Sequence, residues 1–367
     1  MAELRAHPAF VALPPAHRVL PATASDLRLY RQDSDQWWAC HAGRISTSAC
    51  AACLGVYEER SAKELGVPPS LRGHGKALDA HARLQAPLLA DYALLRDAAG
   101  KVDSASADAD DGHGAVWRSR PASSAGAVPF QREYVPRRSR RAEGGTPYRT
   151  VGQVRMAWGN AQEATSVLAA ANYLWARNAT VEEAGLQPLE ALPESVLAAL
   201  PPGLPPIGAS PDAIVRWPDG SVEPFEAKNH APFATCRAPQ PCFEVRDPGP
   251  FDGVAVWHVP QLYLHMLCLG EACSSALFLS CSATKGANLF RLRRDTQLQG
   301  LVLKFVARFA DRHGAGQPPP PPDHFWGCRE YASLLEGLSR ASREAVELVA
   351  HIPHAEIQRG PEAPLFL

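Results

Sequence analysis

The chain of 367 residues carries a formal net charge of −1, with 46% hydrophobic and 20% charged residues. These values exclude a disordered polyelectrolyte and allow a sizeable core, arranged as one large domain with appendages or as two domains. They also exclude nucleic-acid binding through global charge, so any such binding has to come from a local patch.

No run of about 18 apolar residues occurs, so no membrane span is expected. Residues 1–20 lack the basic and apolar regions of a secretory signal. The nine cysteines, Cys40, Cys50, Cys53, Cys236, Cys242, Cys268, Cys273, Cys281 and Cys328, are odd in number and dispersed. That pattern points to reduced thiols inside a cell and not to a disulfide framework. Nucleus, cytoplasm and organelle stay open.

Residues 1–35 are rich in Pro and Ala and read as a loose arm. From Trp37 to about Leu95 the pattern is helical, with Ser46-Thr47-Ser48 as a capping segment and Gly55 as a stop. An acidic run over 103–112 and the basic Arg132, Arg137, Arg138, Arg140 and Arg141 read as one long surface insertion. Residues 160–178 form a helix by the spacing of Ala164, Val167, Leu168, Ala171, Leu174 and Trp175. Asn160 followed by Glu163 matches a capping box, and Glu163 is alternatively a carboxylate of the site.

The segment from Gly208 to Val215, with Glu226-Ala227-Lys228 beyond it, carries the chemistry. Trp217-Pro218-Asp219-Gly220 is a turn signal between two apolar runs, so a β-hairpin is expected. Strand alternation puts Glu226 and Lys228 on one face and Phe225 and Ala227 on the other. The hairpin brings Asp212 beside Glu226, with Lys228 next to both. Two repelling carboxylates suit a hard cation such as Mg²⁺ or Mn²⁺, and a lysine there orients or deprotonates a water. This is equipment for metal-assisted phosphodiester hydrolysis. Pro224 suggests an edge or bulged strand.

Residues 231–257 read as an insertion, and a second helix runs from Pro260 to Gly270 with Gln261 and His265 on one face. Those two side chains read either as a polar stripe or as contacts to the water or a phosphate. Strands over 276–282 and 288–293, a helix over 294–313, a Gly/Pro-rich linker over 314–322 and a last helix over 329–350 follow. The order of elements gives an α/β class. Ser46, Thr47 and Ser48 offer hydroxyls to a phosphate, and Arg44 offers charge; ordinary capping and a solvated arginine are the alternatives. Two zinc readings arise, Cys40, His41, Cys50 and Cys53, or His230, Cys236, Cys242 and His258, but neither spacing is that of a known zinc module. Structural zinc is therefore not expected.

Four segments in order resemble the phage lambda exonuclease / YqaJ-type viral recombinase family within the PD-(D/E)xK nuclease superfamily. They are Trp37 to Gly55, Ala157 to Glu163, Ser210-Pro211-Asp212 with Glu226-Ala227-Lys228, and the helix carrying Gln261. The resemblance covers roughly residues 35–315. It implies a restriction-endonuclease-like core, a central mixed β-sheet flanked by helices, over 36–315, with loop insertions at 96–148 and 231–257. Residues 1–35 are then an N-terminal arm, and 316–367 a Pro-rich linker with a C-terminal helix.

The resemblance further implies that Asp212, Glu226 and the Ala227 carbonyl hold Mg²⁺, that Lys228 serves the water, that Glu163 supports both, and that Gln261 orients groups. Ser48 and Ser210 match positions contacting phosphate near a DNA 5′ end, with Arg44 beside them. The implied activity is 5′-to-3′ digestion of double-stranded DNA from its ends, in recombination or repair, in some relatives by a ring-shaped trimer. A structure-dependent endonuclease and a catalytically silent DNA-binding or assembly protein are the alternatives. The sequence departs from the family pattern at His41, where relatives carry an arginine, and at Asn229-His230, where they carry Cys-Pro. These departures leave end recognition open, as the insertions do processivity and oligomeric state.

Overall fold

The computed structural model describes residues 2–15, 18–19, 26–32, 34–86, 88, 116–119, 132–135, 151–235 and 243–357. The acidic run 103–112 lies outside the described residues, as do Arg137, Arg138, Arg140, Arg141, Cys236 and Cys242. Of the long insertion, two short strands over 116–119 and 132–135 pair antiparallel with each other.

A seven-stranded mixed sheet forms the centre, and its strands follow one another in chain order: β1 Phe10–Val11, β2 Thr180–Glu182, β3 Ala213–Arg216, β4 Val222–His230, β5 Ser275–Ser282, β6 Ala287–Arg293 and β7 Val346–Ile352. Pairing is parallel at β1–β2 and β4–β5 and antiparallel elsewhere. Every residue of β5 is buried. A strand covered on both faces reads as a continuous apolar run, which Ala276 to Leu279 provides.

Helices flank the sheet. They are labelled α1 Asp35–Cys40, α2 Cys50–Cys53, α3 Gly75–Leu84, α4 Val151–Trp175, α5 Val259–Cys268, α6 Thr296–His313 and α7 Arg329–Glu344. Strand alternation divides the core in two. Phe225 and Ala227 of β4, with Leu277, Leu279 and Cys281 of β5, pack with Val167, Leu168, Ala171 and Leu174 of α4. Ala276 and Phe278 of β5 turn the other way and pack with α5, α6 and α7. Burying one side chain such as Phe278 fully contributes about 1.5–3 kcal/mol. All ten residues of α5 are buried, so this helix is enclosed on every side and its polar Gln261 and His265 need partners inside the protein.

The hairpin of β3 and β4 forms as the Pro-Asp-Gly turn predicts, and Ala213 pairs with Phe225. Pro224 does not mark an edge: β4 lies between β3 and β5. It is tolerated because it faces Ile214 of β3 just before the first registered pair with β5, Phe225 with Leu277.

Three sequence expectations are corrected. Helix α4 begins at Val151 and not near Asn160, so Asn160 is a helix-interior residue and no capping box forms with Glu163. The last helix stops at Glu344, and after Ala345 the seven residues Val346–Ile352 form β7, paired with β6. The first 35 residues are not uniformly loose: Leu4 and Phe10 enter the core, and β1 extends the sheet beyond β2. The sheet therefore draws strands from both ends of the chain.

Gly286 closes the β5–β6 turn with φ of +82°, and a Cβ there would stand 2.4 Å from the Ile352 carbonyl oxygen. Gly286→Ala therefore combines a left-handed backbone with a collision against backbone of β7. It is expected to cost about 1–3 kcal/mol. Urea unfolding checks this, and an unchanged midpoint would contradict it.

Candidate active site

The site forms where the hairpin, α4 and α5 converge. Asp212 directly precedes β3, one residue beyond the Ala213–Phe225 pair, which sets it opposite Glu226. Its Oδ2 accepts a hydrogen bond of 2.7 Å from the Ala227 backbone N–H, which fixes the carboxylate against β4. Glu226 and Lys228 share the face of β4 turned toward α5. Lys228 Nζ ion-pairs with Glu226 Oε1, and Gln261 Nε2 donates to the same oxygen at 2.8 Å. Glu226 is 3% exposed.

His265, one helical turn after Gln261, is fully buried, and its Nδ1 stands 3.8 Å from Glu226 Oε2. Its Nε2 lies 2.7 Å from the Thr47 hydroxyl. Burial drives the His265 pKa down to about 4, against the pull of Glu226, so the ring is neutral at physiological pH.

A cavity of about 380 Å³ opens beside this cluster, lined among others by Glu163, Asp212, Ala227, Lys228, His230, Trp257 and His258. Glu163 reaches it from α4. Burial, then repulsion by Glu226, raises the Glu163 carboxyl above its ordinary value. Asp212 is raised well above its own by burial, then by Glu226 and Glu163. Burial opposes the charge on Lys228, but Glu226, Asp212 and Glu163 outweigh it and hold the ammonium pKa above its usual value. Three carboxylates around one ammonium leave excess negative charge, the condition a divalent cation relieves. The oxygen-rich donor set suits a hard cation. Among the described residues, no group of three or more His, Cys, Asp and Glu side chains is arranged to hold a metal ion.

No family model matches the chain, and no curated protein or solved structure matches it.

The other expected residues fall into two groups. Ser210 sits next to the hairpin but is engaged with α1: its hydroxyl accepts from Trp37 Nε1 at 3.1 Å and stands 3.3 Å from His41 Nε2. His41 Nδ1 lies 2.8 Å from the Trp37 carbonyl, so Nδ1 carries the proton and Ser210 donates to Nε2. Burial pushes the His41 pKa down to about 4, with Arg83 and Arg44 adding to the shift.

Ser48 Oγ lies 3.1 Å from Ser46 Oγ, and Arg83 reaches Ser46 at 3.4 Å. The Ser46 side chain makes no capping hydrogen bond, so the expected cap is absent. A small sheet ties this segment to the strand Ile207–Ala209, which leads into the hairpin, by pairing Ser46 with Gly208. Neither Ser48, Ser210 nor Arg44 lines the cavity. Arg44 is 4% exposed and ion-pairs with Glu190, which is not the geometry of a solvent-facing phosphate anchor.

Two histidines read as possible zinc ligands stand instead in the cavity wall. His230 Nε2 lies 2.7 Å from Ser280 Oγ, and Trp257 Nε1 donates to His258 Nε2 at 3.0 Å. Burial lowers the pKa of His230 to about 4 and that of His258 well below its ordinary value. Cys50 and Cys53 are buried in the core, with thiols pushed up by desolvation, Cys53 to about 12. Among the described residues no helix is long and apolar enough to cross a membrane.

Proposed function

We propose that this protein is a Mg²⁺-dependent DNA nuclease on a restriction-endonuclease-like core, a 5′-to-3′ exonuclease acting on ends of double-stranded DNA in recombination or repair. The observation that carries the reading is Asp212, Glu163 and Lys228 lining one cavity, with Glu226 behind Lys228 and held by Gln261. Asp212 and Glu226 would hold the cation, with the Ala227 carbonyl as a third protein donor and Glu163 as a further support; Mn²⁺ suits the same oxygens. A cation held there would supply Lewis acidity toward a phosphoryl oxygen.

The protein's own groups do the rest. Lys228 keeps its proton, because three carboxylates hold its pKa above the usual value. It therefore acts as a fixed positive charge for the phosphoryl oxygens and orients the attacking water instead of deprotonating it. Glu163, its carboxyl raised above its ordinary value by burial and then by Glu226, is the better acceptor for the water's proton. Gln261 keeps Glu226 from turning away from the hairpin. DNA ends are the partner, and the ring-shaped trimer of some relatives is one assembly compatible with the resemblance, which leaves the oligomeric state open.

The test uses end-labelled linear duplex, closed circular DNA and single strands, each with Mg²⁺ or with EDTA. Release of mononucleotides from linear duplex alone, lost with EDTA and in Lys228→Ala, is the expected result. Cutting of closed circles would make the protein an endonuclease. Binding without cleavage under any divalent ion would leave a silent DNA-binding protein.

A further inference from the structure

Glu226 uses its two oxygens unequally. Oε1 takes both the Lys228 ammonium and the Gln261 amide. Oε2 is buried with no hydrogen-bond partner among the described residues. His265 Nδ1 stands 3.8 Å from it, itself buried and without a hydrogen-bond partner among the described residues. Two such atoms facing each other inside a core are costly apart, and a small side-chain rotation brings them together. The other ring nitrogen, Nε2, is already engaged at 2.7 Å by the Thr47 hydroxyl. A threonine hydroxyl can donate to Nε2, and that donation requires the proton of a neutral ring to sit on Nδ1, facing the carboxylate.

We propose that His265 is the positioning residue of Glu226, holding Oε2 through Nδ1–H in a tautomer fixed by Thr47. This inference rests on the nuclease reading for its catalytic consequence. With Oε2 held by His265, Glu226 keeps its orientation when Oε1 exchanges Lys228 for a cation or a water. The line Thr47–His265–Glu226 also joins the Ser46–Ser48 segment to the hairpin by way of α5, with Thr47 and His265 218 residues apart in sequence.

Asparagine and glutamine separate the two ring nitrogens. The amide nitrogen of Asn sits near the place of Nδ1, and that of Gln near Nε2. His265→Asn is therefore expected to keep kcat within about threefold of wild type. His265→Gln is expected to lower kcat by about 10²-fold with KM for DNA little changed. Thr47→Val is expected to lower kcat in the wild-type background and to have no effect in His265→Asn. Thermal unfolding of each variant separates lost folding from lost positioning.

A second measurement needs no turnover: ¹⁵N NMR of the full chain should show His265 protonated on Nδ1 and bare on Nε2, with the Nδ1 signal moved by Glu226→Gln. An Nε2–H tautomer, or equal kcat for the Asn and Gln variants, overturns the inference. If wild type shows no turnover, the nuclease reading falls, and the NMR tautomer alone then decides the pairing.

Discussion

Asparagine in place of Asp212 is expected to lower Mg²⁺-dependent cleavage by at least about 10³-fold while making the metal-free protein more stable at neutral pH. Both effects come from one oxygen. Asparagine retains a carbonyl to accept from the Ala227 N–H, so the hairpin contact at 2.7 Å survives. What it loses is the charge that would bind the cation and that repels Glu226 and Glu163.

The pH dependence follows from the direction of the shift. Asp212 is raised well above its ordinary 3.8, first by burial and then by its carboxylate neighbours. Between that ordinary value and the raised one, the native state binds more protons than the unfolded chain. The stability of the metal-free wild type therefore falls as pH rises through this window, and part of that loss disappears in Asp212→Asn. Thermal melts in EDTA across the acidic range, paired with cleavage assays in Mg²⁺, read both halves. Cleavage retained by the variant, or melts that track wild type at every pH, would remove Asp212 from the role assigned to it.

The hairpin carrying this site was legible because its signals are local. Trp217-Pro218-Asp219-Gly220 sets the turn, and strict alternation through Phe225, Glu226, Ala227 and Lys228 sets the faces. Helix α5 was legible for the same reason, with Pro260 in its first turn and Gly270, φ of +87°, just past its end.

What was hidden is either masked by local propensity or distant in sequence. Gly159 and Asn160 look like a helix start, yet α4 continues through them and carries Glu163 to the cavity from its interior. The seven residues of β7 follow an amphipathic helix without a Gly or Pro break, so the periodicity of α7 reads on into a segment that pairs with β6. Arg44 looks exposed in sequence because nothing nearby predicts Glu190 as its partner. Thr47 reads as a cap residue, and only the packing of α5 against residues 47–49 turns its hydroxyl onto His265.

The largest stability loss is expected at the other end of β4, where Glu223→Ala should destabilise the protein by about 3 kcal/mol in urea unfolding. Glu223 is 3% exposed and serves three partners. Arg291 binds it through Nε at 2.7 Å and through a terminal nitrogen at 3.0 Å. Ser275 Oγ donates at 2.5 Å and Trp217 Nε1 at 2.6 Å. By strand parity Glu223, Ser275 and Arg291 lie on the α4 face of three adjacent strands, opposite to Glu226.

Removing the carboxylate leaves a half-buried guanidinium, the buried Ser275 hydroxyl and the half-buried Trp217 N–H without this acceptor, and that desolvation cost, more than the lost attraction, sets the magnitude. Because Arg291 keeps 24% side-chain exposure, water recovers part of the loss, which places the figure at the low end of the range for broken buried pairs. Replacing both partners by apolar residues, Glu223→Leu with Arg291→Met, removes the stranded charge and should cost less than Glu223→Ala alone. A double variant less stable than the single one would mean that the pair's attraction outweighs its desolvation.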